Sequence, residues 1–459
     1  MRHFKVILLL SLIILMALPA LAGRRMVKKG AGPMLTSARI ALFSSPPRYE
    51  EAMAYFDTVL TDYGMIPEAY FYRGNIYAEF ASREYGFEGK IDFFNKMKAC
   101  YDSLDLACEN KDVKKKYKSK CDDFQSVVDS IIIGLWGPNY NEGVKTIERL
   151  DKEIKPNVAN AADSIELEAA TAELMAVADS GKGFFKIAAA VDPINSKSLE
   201  GLGILYDRLN ETDSALNYFM QAYTSDSESV QMVQSIAYSY IQLKDWNNAI
   251  EFFRKLMNME PDDVNTILNT AVCFNNLQMF DSVLAYNHKA ITVDSSLASA
   301  YFDIGTIWLV SSQTYSDSTK YFKQETNASE AAKYIKLQNA SLDSSAHYFC
   351  TAADLDENDL IAMEQCAVVT MILGNYEDAA MKFKILTEKS PQVFDFWINM
   401  GDCYIQLRQF KDAIEPYEKA LEIDPTDVKL WEVIQSLYET QGFPEKAKNA
   451  ENKIKELQG

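Results

Sequence analysis

The feature that most constrains this chain is a recurrence of residue types every 34 positions. In residues 394–427, Trp397, Met400, Gly401, Tyr404, Ala413, Tyr417, Ala420 and Pro425 occupy offsets 4, 7, 8, 11, 20, 24, 27 and 32. Residues 196–229 place Leu199, Leu202, Gly203, Tyr206, Ala215, Phe219 and Ala222 at the same offsets. Residues 230–263 place Val233, Ile236, Ala237, Tyr240, Ala249, Phe253, Leu256 and Pro261 there. The register thins over 264–297, where Ala271, Phe274 and Ala290 match but Asn287 stands in the aromatic position. It returns at Ala367, Ala379, Phe383 and Pro391 of 360–393. A fixed period of this length marks stacked supersecondary units rather than one globular core. Gly203, Gly401, Ala215 and Ala413 suit positions where two helix backbones approach, and the aromatic residues fill the grooves beside them. Asp263, Asp359 and Asp427 stand where first helices begin and can cap their free N–H groups. Pro261, Pro391 and Pro425 stop the preceding helices.

These residues resemble the tetratricopeptide repeat, W-x2-L-G-x2-Y…A-x3-F…A…P. The resemblance implies an all-α fold: an α-solenoid of antiparallel helix pairs, wound as a right-handed superhelix. Because no unit buries its apolar face alone, neighbours must stack. The array covers residues 196–459. Residues 23–160 read as degenerate N-terminal helical repeats and 161–195 as a degenerate connecting repeat. One unit opens with Tyr301, Ile304, Gly305 and Trp308, and register resumes only at 360, so an insertion sits near 311–342. It reads as a lengthened hairpin or as a partner-specific protrusion. The last unit has Trp431, Tyr438 and Ala447 and turns polar through Lys453 and Glu456, as a C-terminal capping helix should. In the N-terminal third, Ala52, Phe56 and Val59 suggest a second helix, and Tyr70, Gly74 and Tyr77 the next first helix. A long helix from Lys111 carries Lys114, Lys115, Lys116, Lys118 and Lys120, read as a solvated face.

In this family the first helices line a concave face, with offsets 2, 5, 9, 12 and 13 turned to a bound peptide. The resemblance therefore implies a ligand-binding face at Gln231, Gln234, Tyr238, Gln242, Asn265, Asn275 and Asn276. Amides donate and accept, which suits an extended polypeptide partner. Farther along, Phe302, Leu309, Val310, Val368, Met371 and Ile372 make the same offsets apolar, either a partner groove or a surface the insertion covers. The family's clamp for acidic chaperone tails is not reproduced by Glu200, Ile204 and Arg208.

Charge narrows the partners. With 46 Lys and Arg against 65 Asp and Glu, the formal net charge is −19, the wrong sign for a surface wrapping nucleic acid. His3, His288 and His347 are the only histidines. No H-E-x-x-H, G-x-S-x-G or P-loop spacing occurs. The reading is a non-enzymatic scaffold with no catalytic residues, metal or cofactor.

Arg2, His3 and Lys5 precede an apolar run at 6–18 that ends in Pro19-Ala20-Leu21-Ala22. A basic start, a short apolar run and small residues before a cleavage point describe a secretory signal peptide over residues 1–22. Export to the periplasm or beyond follows. Arg24, Arg25, Lys28 and Lys29 come directly after, which supports an alternative: an uncleaved anchor, the chain's one route to a membrane, on an accessory subunit of an envelope or secretion assembly. Cys273, Cys350, Cys366 and Cys403 read as small buried hydrophobes. Cys100, Cys108 and Cys121 flank a polar break at Glu109-Asn110-Lys111. A helical hairpin turning there brings Cys100 and Cys121 level, so a Cys100–Cys121 disulfide is expected.

Overall fold

The computed structural model describes residues 30–325 and 327–458. The expected signal peptide at 1–22 lies outside the described residues. Regular structure among the described residues is helical throughout, and no strand occurs. The chain divides into two compact units, Met1–Asp245 and Trp246–Gly459.

The first unit contains α1 (Ala31–Leu42), α2 (Tyr49–Tyr63), α3 (Pro67–Arg83), α4 (Phe87–Glu109) and α5 (Lys111–Arg149). A π-helical turn, Leu150–Ile154, and a short helix, α6 (Lys155–Ala159), lead to α7 (Ser164–Val191), α8 (Ser196–Arg208), α9 (Thr212–Ser225) and α10 (Val230–Gln242). Two of the pairs close over a glycine. A Cβ built on Gly203 of α8 lies 2.4 Å from the Phe219 ring of α9, so only glycine admits that approach. At α3/α4 a Cβ on Gly74 lies 2.2 Å from the Tyr101 ring, whose hydroxyl donates to Asn75 Oδ1 at 2.7 Å. The segment 161–195 is not a helix pair of its own. Helix α7 folds back along α5, and its Phe185 ring lies between Gly143 and Gly201.

The second unit runs through α11 (Trp246–Met259), α12 (Val264–Asn276), α13 (Phe280–Val293), α14 (Ala298–Gln324) and α15 (Ala328–Leu355). It continues through α16 (Leu360–Ile372), α17 (Tyr376–Lys389), α18 (Phe394–Gln406), α19 (Ile414–Ile423), α20 (Val428–Thr440) and α21 (Pro444–Gln458). The side chains of Asp263, Asp359 and Asp427 accept backbone N–H bonds at the starts of α12, α16 and α20. Helices α11, α17 and α19 end just before Pro261, Pro391 and Pro425. Helix α21 buries Ala447, Ala450 and Ile454 and leaves most of its charged side chains in solvent, which closes the array.

The insertion lengthens both helices of one pair. Helices α14 and α15 have 27 and 28 residues where α12 and α13 have 13 and 14. The base of the pair is unaltered, because Gly305 still meets the Phe349 ring and Ser345 Oγ donates to Gly305 O at 2.9 Å. Toward the tip, Phe322 stacks on Tyr334 with centroids 5.3 Å apart. This pairing answers the apolar stripe. Phe302 and Leu309 pack against Leu342, Phe349 and Val369, while Val368 and Met371 pack against the core around Phe383. Only Val310 and Ile372 of that set stay exposed. The stripe is mostly core.

The cysteine expectations need correction. Cys121 pairs with Cys108, not Cys100, at a Cα separation of 5.7 Å; Cys100 is a buried free thiol. The hairpin is not symmetric about the break: Asn110 takes an extended ψ of 125°, and Cys121 stands level with Cys108 rather than with Cys100. The hydrogen bond from Gln125 Nε2 to Asp105 Oδ1, 2.9 Å, shows the same displaced register. Cys350 and Cys366 are likewise bonded, at a Cα separation of 4.8 Å, rather than serving as free apolar filler.

Candidate functional site

On α10, Met232, Val233, Ile236 and Ala237 form the buried side. Gln231, Gln234 and Tyr238 recur at spacings of three and four residues, so they share the opposite side of the helix. Gln231 and Tyr238 are exposed and Gln234 is half-buried. Gln242 is exposed but engaged: it accepts from Thr212 Oγ1 at 2.8 Å, and its Nε2 donates to Asp207 Oδ1 at 3.4 Å. Those bonds tie α10 to the α8/α9 junction, so Gln242 is a positioning residue.

On α12, Ile267, Thr270, Ala271 and Phe274 are buried, and Asn265, Asn275 and Asn276 are exposed. Asn276 Nδ2 donates to Val272 O at 2.9 Å, one turn back in its own helix. The sequence reading passed over Val272, which is 45% exposed. Its place at offset 9 of the repeat is the signal that marks it, although its side chain is neither amide nor aromatic. The two sets lie in different compact units, and each stands as a surface of its own.

The rest of the described surface carries little that points to bond-making chemistry. A cleft of about 350 Å³ lies against the Cys350–Cys366 disulfide, lined in part by His347, Thr351, Asp354, Thr370 and Asp378. Lys382 Nζ donates to Asp378 Oδ1 at 2.9 Å, which occupies one of its two carboxylates. Burial pushes the Cys100 and Cys273 thiols up to about 11 and, with Asp402 adding to it, the Cys403 thiol up to about 12. These thiols stay protonated and unreactive near neutral pH. Among the described residues no group of three or more His, Cys, Asp or Glu is arranged to hold a metal, and no helix is long and apolar enough to cross a membrane.

Tetratricopeptide-repeat family models match residues 196–229, 230–263 and 394–427. No curated protein matches the chain. Among solved structures, a tetratricopeptide repeat protein from Parabacteroides merdae is 14% identical, covering 66% of this chain and 99% of that one, with a TM-score of 0.36. The C-terminal part of a TPR repeat-containing protein from Cytophaga hutchinsonii is 14% identical over 56% of this chain and 93% of its own, with a TM-score of 0.40. YrrB, described as a TPR protein with an unusual peptide-binding site, is 17% identical over 54% of this chain and 94% of its own, at 0.24. The helix pairing itself carries the fold: Gly203 meets Phe219 and Gly401 meets Tyr417, each at the spacing the repeat requires. Tetratricopeptide repeats are thus matched at residues 196–263 and 394–427, and both of these helix pairs lie within those spans.

Proposed function

We propose that this chain is an exported, non-enzymatic scaffold that binds a protein or peptide on the exposed face of its first helices. The observation that carries the reading is α10, where Gln231, Gln234 and Tyr238 stand on one side of a helix whose other side is fully used in packing. An amide pair beside an aromatic ring offers donors, acceptors and apolar area to an extended backbone. Two disulfides, Cys108–Cys121 and Cys350–Cys366, support residence in an oxidising compartment and so support export. The capture experiment compares the wild-type chain with Gln234→Ala/Tyr238→Ala and with Asn265→Ala/Asn275→Ala. Loss of the captured partner in one variant assigns the face, and equal capture by all three removes both faces.

A second reading is favoured by the charges at Arg24, Arg25, Lys28 and Lys29 that follow the apolar run at 6–18. Here the N-terminal segment stays as an anchor and the chain serves a membrane-bound assembly as an accessory subunit. Cell fractionation separates the two: a processed soluble chain supports the scaffold, and a membrane-retained full-length chain supports the subunit.

A further inference from the structure

The start of α5 is built against its own helix. Lys111, Lys114, Lys115 and Lys118 are all exposed, and their spacings put them on one outward arc. None of the four forms an ion pair among the described residues; of this lysine run only Lys120 does, buried with Glu68 Oε2 at 3.4 Å. Cations crowd the end of the helix where the macrodipole favours anions. Yet the segment is held firmly. The Asn110 side chain accepts from the N–H groups of Asp112 and Val113, Cys108–Cys121 bridges the segment to α4, and Glu68 also meets Arg39 Nε at 3.4 Å. Beside the bridge, Leu106 is 62% exposed. A fixed basic patch on a chain of net charge −19 suits an anionic occupant.

The other end of the same hairpin has the opposite character. Residues 164–176 of α7 are exposed on nearly every side, with only Ala170 and Leu174 half-buried. Proteins sustain helices mainly by packing one face, and this stretch packs almost none. Asp163, Glu166, Glu168 and Glu173 fall here without a single Lys or Arg, beside exposed Ile165 and Leu167. Asp163 caps the helix, Glu166 accepts from Ala162 N and Glu173 meets Arg149, but Glu168 has no such duty. The 39 residues of α5 set the two ends about 57 Å apart at 1.5 Å per residue, so one copy does not join them.

We propose that the lysine face of α5 receives the acidic start of α7 from a second copy of this chain. Glu168 meets Lys111, Lys114, Lys115 and Lys118, while Ile165, one turn back on the same face of α7, covers Leu106 and the lysine stems. Because the two surfaces differ, the contact is head-to-tail and propagates into open chains or closes into a ring. It is independent of the peptide-binding face on α10.

The test uses the full-length chain in a non-ionic detergent that covers residues 6–18, followed by sedimentation velocity. The wild type grows in mass with concentration at low salt and reverts toward monomer at high salt, where surface charge is screened. Lys114→Glu/Lys115→Glu/Lys118→Glu makes both ends acidic, and Glu168→Lys/Ala172→Lys puts two lysines on the α7 face that carries Glu168, so that both contact faces are basic. Each variant alone associates at least about tenfold more weakly. Mixing the two restores association, because the basic ends of one meet the acidic ends of the other. The Lys→Glu changes suit the helix dipole, so lost association is not lost folding. Carbodiimide treatment of mixed labelled and unlabelled wild-type chains yields a Lys115–Glu168 cross-link between copies. A wild type that stays monomeric at low salt, a mixture that stays monomeric, or association without that cross-link each overturns the proposal.

Discussion

Helix pairs α3/α4 and α18/α19 meet the same constraint with the same device. In each, a tyrosine ring lies over a glycine too closely for any Cβ, at 2.2 Å for Gly74 and 2.5 Å for Gly401. In each, the hydroxyl donates to the side chain after the glycine: Tyr101 to Asn75 at 2.7 Å and Tyr417 to Asp402 at 2.6 Å. What differs is spacing and solvent. Tyr417 follows Gly401 by 16 residues, whereas Tyr101 follows Gly74 by 27. Asn75 is buried with Tyr101, whereas Asp402 is exposed. The packing device thus survives where the repeat length does not, and its reliance on the hydrogen bond grows as water is excluded.

The largest test of this comparison is overpacking. Gly74→Leu forces its side chain into a fully enclosed ring and should cost about 3 kcal/mol. Gly401→Leu should cost less, about 1–2 kcal/mol, because Tyr417 can shift toward the open side of Asp402. Urea unfolding midpoints of the two variants measure the difference, and equal losses break the comparison. Next in size is Tyr101→Phe, which leaves the Asn75 amide oxygen buried without a donor and should cost about 2 kcal/mol. Tyr417→Phe leaves Asp402 to water and should cost about 1 kcal/mol. A larger loss for Tyr417→Phe would reverse the assigned role of solvent.

How much of this was legible in the sequence follows from the same contrast. Gly401 and Tyr417 were readable as a pair because their separation is the repeat's own. Gly74 was readable as a helix-contact glycine, but Tyr101 was not readable as its partner, since a lengthened hairpin moves the contact by whole turns. Phe349 was hidden from Gly305 for the same reason, and with it the burial of Phe302 and Leu309. The helix caps at Asp263, Asp359 and Asp427 were legible because capping is local. The disulfide was not, because one extended residue, Asn110, resets which turns of α4 and α5 face each other. On the candidate face, exposure was readable from offsets alone. The engagement of Gln242 by Thr212 and Asp207 was not, since it depends on a neighbouring repeat's loop.

The α12/α13 pair shows what happens when the device is absent. Ala271 replaces the glycine, and Asn287 replaces the aromatic. Asn287 is fully buried and makes no well-formed hydrogen bond; its amide is close enough to Asp303 only to favour that carboxylate against the upward push of burial. Asn287→Leu exchanges a poorly satisfied amide for an apolar group of similar volume and should stabilise the second unit by about 1 kcal/mol, provided that the Asp303 contact is as weak as its geometry. A higher urea midpoint checks this. An unchanged or lower midpoint would mean that the amide is satisfied in solution, and the pair would then cease to be a counter-example.

The smallest effect separates how the two ends hold a carboxylate. Glu68 is buried between Arg39 and Lys120, but Glu418 of α19 is about a third exposed. Burial pushes the Glu418 carboxyl up, but hydrogen bonds from Lys446 Nζ at 2.6 Å and Tyr438 Oη at 2.7 Å, with the Lys446 charge, outweigh it and hold the group below its ordinary range. A depressed folded value means that the linked stability is fully present above the unfolded carboxyl value of about 4.3. It is lost as pH falls through the lower folded value. Solvent screening keeps the contribution under about 1 kcal/mol. Hydrogen exchange should therefore show α21 losing protection as pH falls below about 4.3, ahead of α18. Lys446→Met should flatten much of that dependence, leaving only what Tyr438 supplies. Protection in α21 that keeps the same acid dependence in Lys446→Met would place the titrating group elsewhere and detach the capping helix from Glu418.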